Sequence, residues 1–219
     1  MNPELLQAKL KQTIGRAGLR FSRPPACEAI ELCLFDPDVL EGPLTHEEAQ
    51  AVVAEPAYWS FCWASGQVLA SYILANPALV KDQTILDFGS GSGVVAIAAA
   101  KAGARQVFAC DCDPDARSAI ELNARQNAII VTNLARLEDC PVRPDLITAA
   151  DVLYDRDNFP LLDLFCAQAN SVLLADSRVR QLPSENFGLL TTQEARTWPD
   201  LNEFEEFNQV RIYISGHAY

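Results

Sequence analysis

The sequence is poor in the residues that most often build metal sites and disulfide frameworks. Only two of its 219 residues are histidine, His46 and His217, and its seven cysteines include no C-x-x-C pair. An odd cysteine count with this spacing argues against a zinc site and against a disulfide scaffold. We therefore expect that the protein binds no metal and that its thiols are reduced, as is typical of a cytoplasmic protein.

Long apolar runs are absent as well. No stretch reaches the roughly 18 consecutive apolar residues that a membrane-spanning helix needs, so we expect no membrane partner. The first residues, "MNPELLQAKLKQTIGRAG", lack the long apolar core of a secretory signal. This too agrees with the cytoplasmic location.

Positive charge is scarce. Lysine and arginine number 17 against 29 acidic residues, which gives a net charge of −12. A phosphate backbone would be repelled by the average surface, so we expect no nucleic-acid partner, whereas a basic, lysine-bearing protein segment would be attracted. Hydrophobic residues at 49% and charged residues at 21% are ordinary for a globular chain. We expect a single domain and a monomer.

Short apolar segments alternate with helical ones in the second half of the chain. Strands are predicted at 84–88, 106–111, 129–133, 145–151 and 171–176, and helices between them at 94–103, 114–127 and 159–170. Two further alternating segments, 187–198 and 208–215, lack a helix between them and predict an antiparallel pair joined by an acidic turn. The pattern predicts an α/β fold, a Rossmann-like doubly wound seven-strand sheet that is mainly parallel with a C-terminal antiparallel hairpin.

The first third of the chain is less regular. It predicts a helix over 3–17 ended by Gly18, a strand within 29–35, a turn-rich stretch over 36–50 with one helical turn, and a helix over 66–76. We divide the chain into an N-terminal extension, residues 1–65, that packs on the core and covers the cofactor and substrate, and a core of residues 66–219.

A glycine-rich loop follows the first core strand. The stretch "LDFGSGSG" (86–93) sets Gly89, Gly91 and Gly93 between a strand and a helix, where backbone must turn sharply and a ligand can approach free N–H groups. Dinucleotides prefer G-x-G-x-x-G, which this loop does not match. Asp87 in the strand suits a cationic amino group rather than a pyrophosphate. The loop therefore favours S-adenosylmethionine (SAM).

Asp111 ends the next strand and is predicted to accept hydrogen bonds from ribose hydroxyls. Because both kinds of cofactor carry ribose, this residue does not separate them. Its alternative role is to cap the following helix, but Asp113, which precedes Pro114, already suits that position.

These motifs resemble the class I, seven-strand SAM-dependent methyltransferases, with "LDFGSGSG" as their first motif and "ACDCDP" (109–114) as their second. The stretches "EPAYWSFCWASGQVLASYIL" (55–74) and "ADVLYD" (150–155) resemble the lysine methyltransferases that carry a D-x-x-Y signature after the fourth strand. Within that family the chain is most similar to the enzymes that methylate the electron transfer flavoprotein β-subunit and to their bacterial relatives. This resemblance extends over nearly the whole chain.

The resemblance implies roles for particular residues. Asp151 and Tyr154 correspond to the D-x-x-Y pair beside the transferred methyl and are the implied catalytic residues. Trp63, Gly66 and Gln67 correspond to a segment that contributes to the cofactor pocket. The chain departs from the usual pattern at Ser92, where cysteine is common, and at Trp63-Ala64-Ser65-Gly66, where the family often has W-P-G-G or W-P-S-G.

Methyl transfer to an amine gives the strand-four acid a clear task. A carboxylate at Asp151 can accept a hydrogen bond from the amine and stabilise the positive charge that moves onto nitrogen, while Tyr154 orients a second partner. The alternatives are a helix cap for Asp151, an aromatic lid for Tyr154 and core packing for Trp63. For Asp155 we favour a capping role.

The expected function is that of a SAM-dependent protein-lysine N-methyltransferase acting on the electron transfer flavoprotein β-subunit. One alternative is methylation of a small amine or of another protein, such as a ribosomal protein. A non-catalytic SAM-binding module and a nicotinamide-dependent oxidoreductase are further alternatives from other classes.

Overall fold

The computed structural model of the protein describes residues 3–39, 45–201 and 204–216. Its strands within these ranges are β1 (Leu19–Ser22), β2 (Leu32–Phe35), β3 (Thr84–Phe88), β4 (Gln106–Cys110), β5 (Thr132–Leu134), β6 (Leu146–Ala150), β7 (Ser171–Asp176), β8 (Phe187–Glu194) and β9 (Gln209–Gly216). The helices are α1 (Pro3–Thr13), α2 (His46–Ala54), α3 (Ala64–Ala75), α4 (Val94–Lys101), α5 (Pro114–Gln126) and α6 (Leu161–Gln168).

Seven strands form one sheet in the order β5-β4-β3-β6-β7-β9-β8. The five strands from β3 to β7 are parallel, whereas β9 runs antiparallel to both β7 and β8. The predicted fold class is therefore confirmed. Chain order reverses between β3 and β6, so the loops after these two neighbouring strands meet at the switch point, where open α/β sheets bind ligands.

Helices cover both faces of this sheet. Successive residues of each strand point to opposite faces, so Ile85 packs in a cluster with Ile73 of α3 and Ile97 of α4, whereas Leu86 packs in a second cluster with Phe165 of α6. All five side chains are buried. Burial on both faces explains why the central strands have nearly continuous apolar sequences rather than an alternating pattern.

Two predicted elements are shorter or displaced. The helix predicted over 3–17 ends at Thr13, because Gly15 is a poor helix residue. The third core strand was predicted at 129–133 but pairs only over Thr132–Leu134. The chain leaves α5 through Ala128 at φ 56°, and Ile130 is 92% exposed, so this apolar run is a connection rather than a buried strand.

Two other elements differ from the prediction. The turn-rich stretch contains a nine-residue helix, α2, which begins at a capping box formed by Thr45 and Glu48. The strand predicted within 29–35 pairs with the unpredicted β1 in a separate two-stranded sheet. The division predicted at residue 65 falls inside α3 and stays a prediction. Residues 40–44 of the turn-rich stretch, 202–203 of the acidic turn, and His217 lie outside the described residues.

Two asparagines, one within α5 and one at its C-terminal cap, join the small sheet to the core. The Asn123 side chain accepts a hydrogen bond from Cys33 N–H at 2.7 Å and donates one to the Ser92 carbonyl at 2.8 Å. One turn later Asn127 pairs in the same way with both backbone groups of Glu31. Asn123 is fully buried, so it fixes the glycine-loop backbone to the N-terminal segment.

Replacing Asn123 with alanine is expected to lower the free energy of unfolding by about 2–4 kcal/mol, because two buried backbone groups lose their partners. Glu121→Ala removes an exposed ion pair with Arg125 from the same helix and should change it by less than about 0.5 kcal/mol. Chemical denaturation of both variants measures the difference. Equal stabilities would contradict the bridging role of Asn123.

Candidate active site

The loop between β3 and α4 requires its glycines. Gly89, Gly91 and Gly93 have φ values of 65°, 53° and 83°, a region that side chains disfavour. A Cβ atom on Gly89 would lie 2.8 Å from Cγ1 of Val152, which follows β6. The loop after β3 thus touches the loop after β6, as the predicted site requires.

Asp87 lies beneath the glycine loop. Its side chain is buried and accepts hydrogen bonds from the Thr148 hydroxyl, at 2.8 Å, and from the Ser90 hydroxyl. Burial raises the pKa of this carboxyl to about 6, against the effect of the two hydroxyl donors. Each carboxylate oxygen already has a protein donor, which ties the loop to β6. Contact with a cationic amino group stays a prediction.

Asp111 holds the glycine loop from the neighbouring strand. Its carboxylate accepts hydrogen bonds from Gly91 N–H at 2.8 Å and from Asp113 N–H at 3.0 Å. Burial raises its pKa. The helix-capping role belongs instead to Asp113, whose side chain accepts from Asp115 N–H at 2.8 Å, as predicted. Each carboxylate oxygen of Asp111 has further lone pairs for a ribose hydroxyl.

Asp151 stands at the tip of β6 with φ 53°, an unusual conformation for a residue other than glycine. Its Oδ1 accepts from the Ser65 hydroxyl at 2.6 Å and from the Ser177 hydroxyl at 3.0 Å, and its Oδ2 accepts from Ser65 N–H at 3.2 Å. The carboxylate therefore faces the start of α3 and does not cap the segment that follows it, which was the alternative role.

The pKa of Asp151 is raised to about 6. Burial is the main cause of this increase, and the charge of Asp176 also raises the pKa. The hydrogen bonds from Ser65 and Ser177 lower it. Asp176 ends β7 beside Asp151, since Ala150 and Ala175 are partners in the parallel ladder. A carboxyl with this pKa is mostly ionised at neutral pH and is close to its titration range.

Asp176 is fully buried, and its Oδ1 accepts from the N–H groups of Arg178 at 2.8 Å and Val179 at 2.7 Å. Its Oδ2 has no well-aligned hydrogen bond, although the Leu153 N–H favours its charged form. Burial raises its pKa.

Tyr154 is 64% exposed and belongs to a row of aromatic rings. Its ring centroid lies 6.3 Å from that of Tyr58, which is 5.8 Å from that of Trp63. The row is open to solvent at Tyr58 and Tyr154.

Asp155 caps the helical turn Arg156–Asn158 by accepting from Asp157 N–H at 3.0 Å, which confirms the favoured role for that residue.

The predicted cofactor segment before the glycine loop has mainly packing contacts. Trp63 precedes α3, and its indole N–H donates to the Tyr58 carbonyl at 3.0 Å. A Cβ atom on Gly66 would lie 3.1 Å from Val94, so this glycine lets α3 approach the start of α4.

The buried Gln67 amide donates to the Cys62 and Arg196 carbonyls and accepts from Ala26 N–H. Its polar atoms are all used within the protein.

The structure thus brings the glycine loop, Asp87, Asp111 and Asp151 to one edge of the sheet, with Tyr154 beside them. Sequence reasoning missed Ser65, Ser177 and Asp176, which surround the Asp151 carboxylate. The signal for Asp176 was present, since it ends a strand as Asp151 does. Ser65 was noted only as part of the Trp63–Gly66 segment and was given no role, because its partner is 86 residues away.

Two kinds of feature are missing from the described residues, a membrane-spanning helix and a metal-binding cluster. Among the described residues, no helix has both the length and the apolar character needed to cross a membrane. Within the same ranges, no three His, Cys, Asp or Glu side chains are grouped so that they could hold a metal ion.

Comparison with known proteins identifies the fold and its relatives. Residues 69–153 match the family Ribosomal protein L11 methyltransferase (PrmA). The electron transfer flavoprotein beta subunit lysine methyltransferase of Mus musculus is 37% identical over 129 residues, which cover 54% of this chain and 50% of that protein. The chain thus spans about half the length of this relative.

Solved structures agree with these matches. A ribosomal protein L11 methylase from Lactobacillus delbrueckii subsp. bulgaricus has a TM-score of 0.54 and 26% identity, with 70% of this chain and 79% of that chain covered. A protein from Streptococcus mutans described as a SAM-dependent methyltransferase has a TM-score of 0.58 at 11% identity, covering 90% and 55% of the two chains, and supports the fold alone. Residues 69–153 are therefore similar to the PrmA methyltransferases, in a chain whose fold is that of the class I methyltransferases.

Proposed function

We propose that this protein is a SAM-dependent protein-lysine N-methyltransferase. The observation that carries the proposal is the Asp151 carboxylate, which is held by two hydroxyls at the tip of β6. The next residue, Val152, lies against Gly89 of the glycine loop. The D-x-x-Y signature also supplies Tyr154, which is exposed. A positioned anion beside the glycine loop suits an amine, because the nitrogen becomes positively charged as it is methylated.

The glycine loop fits a cofactor of this kind. Its glycines have left-handed backbone conformations, and a Cβ atom on Gly91 would have the Gly89 carbonyl oxygen as its nearest neighbour, at 3.9 Å, so the loop is open at that residue. The first N–H groups of α4 have no carbonyl partner within the helix, although that of Ala96 interacts with Asp87. Gly89, Gly91 and Gly93 would hold the cofactor through their backbone atoms, and Asp111 would accept hydrogen bonds from its ribose hydroxyls. We assign Asp87, Trp63, Gly66 and Gln67 to the same side of the site, with Gly66 and Gln67 acting by packing. When bound, SAM supplies an electrophilic methyl group on sulfur.

The protein's own residues must present an unprotonated amine to that methyl group. A lysine amine has an ordinary pKa near ~10.4, so at neutral pH almost all of it is protonated. Partial burial at the strand tip disfavours the ammonium form, and Asp151 holds the amine by accepting one N–H. As nitrogen becomes positive, the same carboxylate stabilises the charge, while the Tyr154 hydroxyl orients the substrate.

The β-subunit of the electron transfer flavoprotein is the substrate that we propose. Support comes from the mouse relative, which is named for methylation of that subunit, and from the net charge of −12, which favours a basic partner segment. The seven cysteines are all free thiols, which supports the proposal of a cytoplasmic protein. We further propose that it acts as a monomer.

A second candidate substrate is a ribosomal protein. The PrmA match over residues 69–153 favours it, and a lysine-rich ribosomal protein would also suit the acidic surface.

Incubation of the protein with methyl-labelled SAM and the electron transfer flavoprotein β-subunit is expected to label that subunit on lysine. Ribosomal protein L11 and free lysine serve as parallel substrates. Mass spectrometry of the product locates the modified residue. Label on L11 alone would move the proposal to the second candidate, and label on free lysine alone would contradict a protein substrate.

Asp151→Asn is expected to reduce the turnover number by at least about 100-fold, because the carboxylate that stabilises the developing charge is lost. Binding of SAM should change little. Asparagine tolerates the left-handed backbone at this position, so the loop keeps its shape. Asp155→Asn is the matched control, since asparagine also caps helices well, and it should retain activity. Calorimetry with SAM separates the two roles, and lost SAM binding in Asp151→Asn would place this residue in the cofactor pocket.

The pH dependence of kcat/KM reports the Asp151 carboxylate. The pKa of about 6 means that the ionised form is lost as pH falls through that value. Titration of the lysine amine alone gives a slope of about +1 in log kcat/KM against pH, and loss of the carboxylate should raise it to about +2 below pH 6. The break should persist in Asp155→Asn. A constant slope down to pH 5 would show that ionised Asp151 is not required.

A further inference from the structure

The two oxygens of the Asp151 carboxylate have unequal surroundings. Oδ1 accepts two hydroxyl hydrogen bonds, from Ser65 at 2.6 Å and Ser177 at 3.0 Å. Among the residues that the structure describes, the one donor to Oδ2 is the Ser65 N–H, at 3.2 Å. A carboxylate oxygen accepts about two hydrogen bonds in its plane. Oδ1 is therefore saturated by the protein, and Oδ2 keeps capacity for one more donor.

The two serines come from different parts of the fold. Ser65 is the second residue of α3, and Ser177 directly follows β7. Both are buried, with exposures of 0% for Ser65 and 7% for Ser177, so water has little access to take over their hydrogen bonds. Together they restrain the carboxylate from two sides and fix its rotation about the Cβ–Cγ bond.

We propose that Ser65 and Ser177 are positioning residues that hold Oδ1 of Asp151 so that Oδ2 receives an N–H of the substrate amine. This inference rests on the proposed function, because it assigns the amine as the partner of Oδ2. The serines themselves touch neither the amine nor the methyl group. They act through Asp151 by fixing its orientation and by favouring its ionised form.

The ionised form needs this support because other groups oppose it. Asp176, on the adjacent strand, is the acidic group that faces Asp151, and the thiol of Cys62 before α3 also senses its charge. Arg178 partly offsets the charge of Asp176, and Tyr213 of β9 lies against Asp176 as well. The serine donors act in the opposite direction and lower the pKa of Asp151. Without them the carboxyl would be protonated nearer to neutral pH and could not accept from the amine.

A purely structural role predicts different consequences. The same hydrogen bonds connect α3, β6 and β7, so losing one could simply loosen the fold. In that case thermal stability would fall while the pKa of Asp151 and the pH profile stayed the same. The positioning role instead predicts a shift in that pKa and a matching change in kcat.

The experiment combines a direct titration with kinetics. Carbon-13 labelling of the aspartate side chains, with the Asp151 signal assigned by its absence in Asp151→Asn, gives the pKa of Asp151 by NMR without any substrate. Ser65→Ala and Ser177→Ala are each expected to move it upward by about 1 pH unit, since a hydrogen bond to a charged group is lost. The break in the pH profile of kcat/KM should move by the same amount, with kcat at pH 7 reduced by about 10-fold or more and KM nearly unchanged.

Two control variants accompany the alanines. Ser215 of β9 is similarly buried at 8% exposure and contacts Cys166 rather than Asp151, so Ser215→Ala should leave both the titration and kcat unchanged. Ser177→Thr retains a hydroxyl and should restore the pKa and most of the activity. Circular dichroism melts report whether each variant is folded, and Ser177→Ala provides a second test if Ser65→Ala does not fold.

The possible failures are distinguishable. If wild-type protein methylates its substrate but the Asp151 pKa is unmoved in both alanine variants, the serines are only structural and the inference is wrong. If the pKa moves but kcat does not, the orientation of Oδ2 is irrelevant to transfer and the inference is also wrong. If wild-type protein transfers no methyl group to any amine, the proposed function itself fails, whatever the titration gives.

Discussion

The parallel pairing of β3 with β6 is the constraint on which the rest of the site depends. It reverses the strand order and brings the loops after these strands together, with Phe88 opposite Ala149 in the ladder. Gly89, one residue after Phe88, lies so close to Val152, three residues after Ala149, that no side chain fits at Gly89. The glycine loop and the D-x-x-Y segment are therefore a single packed unit. A change in either one moves the other, which explains why a glycine is required where the ladder ends.

Aspartate carboxylates occur at or near the ends of several neighbouring strands at this edge of the sheet. Asp87, Asp111, Asp151 and Asp176 end or follow four neighbouring strands, and burial raises the pKa of each. A buried carboxylate is unfavourable unless hydrogen bonds compensate for lost hydration. Here each acid accepts hydrogen bonds from a loop, so the acids order the loops while the loops keep the acids ionised. The acids differ in which acceptor positions stay open: Oδ2 of Asp176 is buried without a well-aligned donor, and Oδ2 of Asp151 accepts one N–H and keeps capacity for another donor.

Much of this architecture could be predicted from sequence because its determinants are local. The strand and helix bounds of the core, the N-cap at Asp113 and the role of Asp155 follow from periodicity and capping within a few residues. The displaced β5 could not be predicted, because Ile129 and Val131 pack against the core from a connection and imitate a strand.

The partners of Asp151 could not be predicted from local sequence either, since Ser65 and Ser177 lie 86 and 26 residues away in sequence. Gln67, assigned to the cofactor by resemblance, uses its amide to fix three backbone groups, a role that needs the tertiary structure to be seen.

The distribution of site residues relative to the PrmA match separates two parts of the site. Residues 69–153, the range that matches that family, include the glycine loop, Asp111 and Asp151. Trp63, Ser65, Tyr154 and Ser177 lie outside that range, yet two of them hold Asp151 and the other two form the exposed aromatic row with Tyr58. Function on a shared fold resides in the site rather than in the scaffold. Under the proposed function, substrate choice is therefore expected to depend on Trp63 and Tyr154 of the aromatic row, while Ser65 and Ser177 hold Asp151 from outside the matched range.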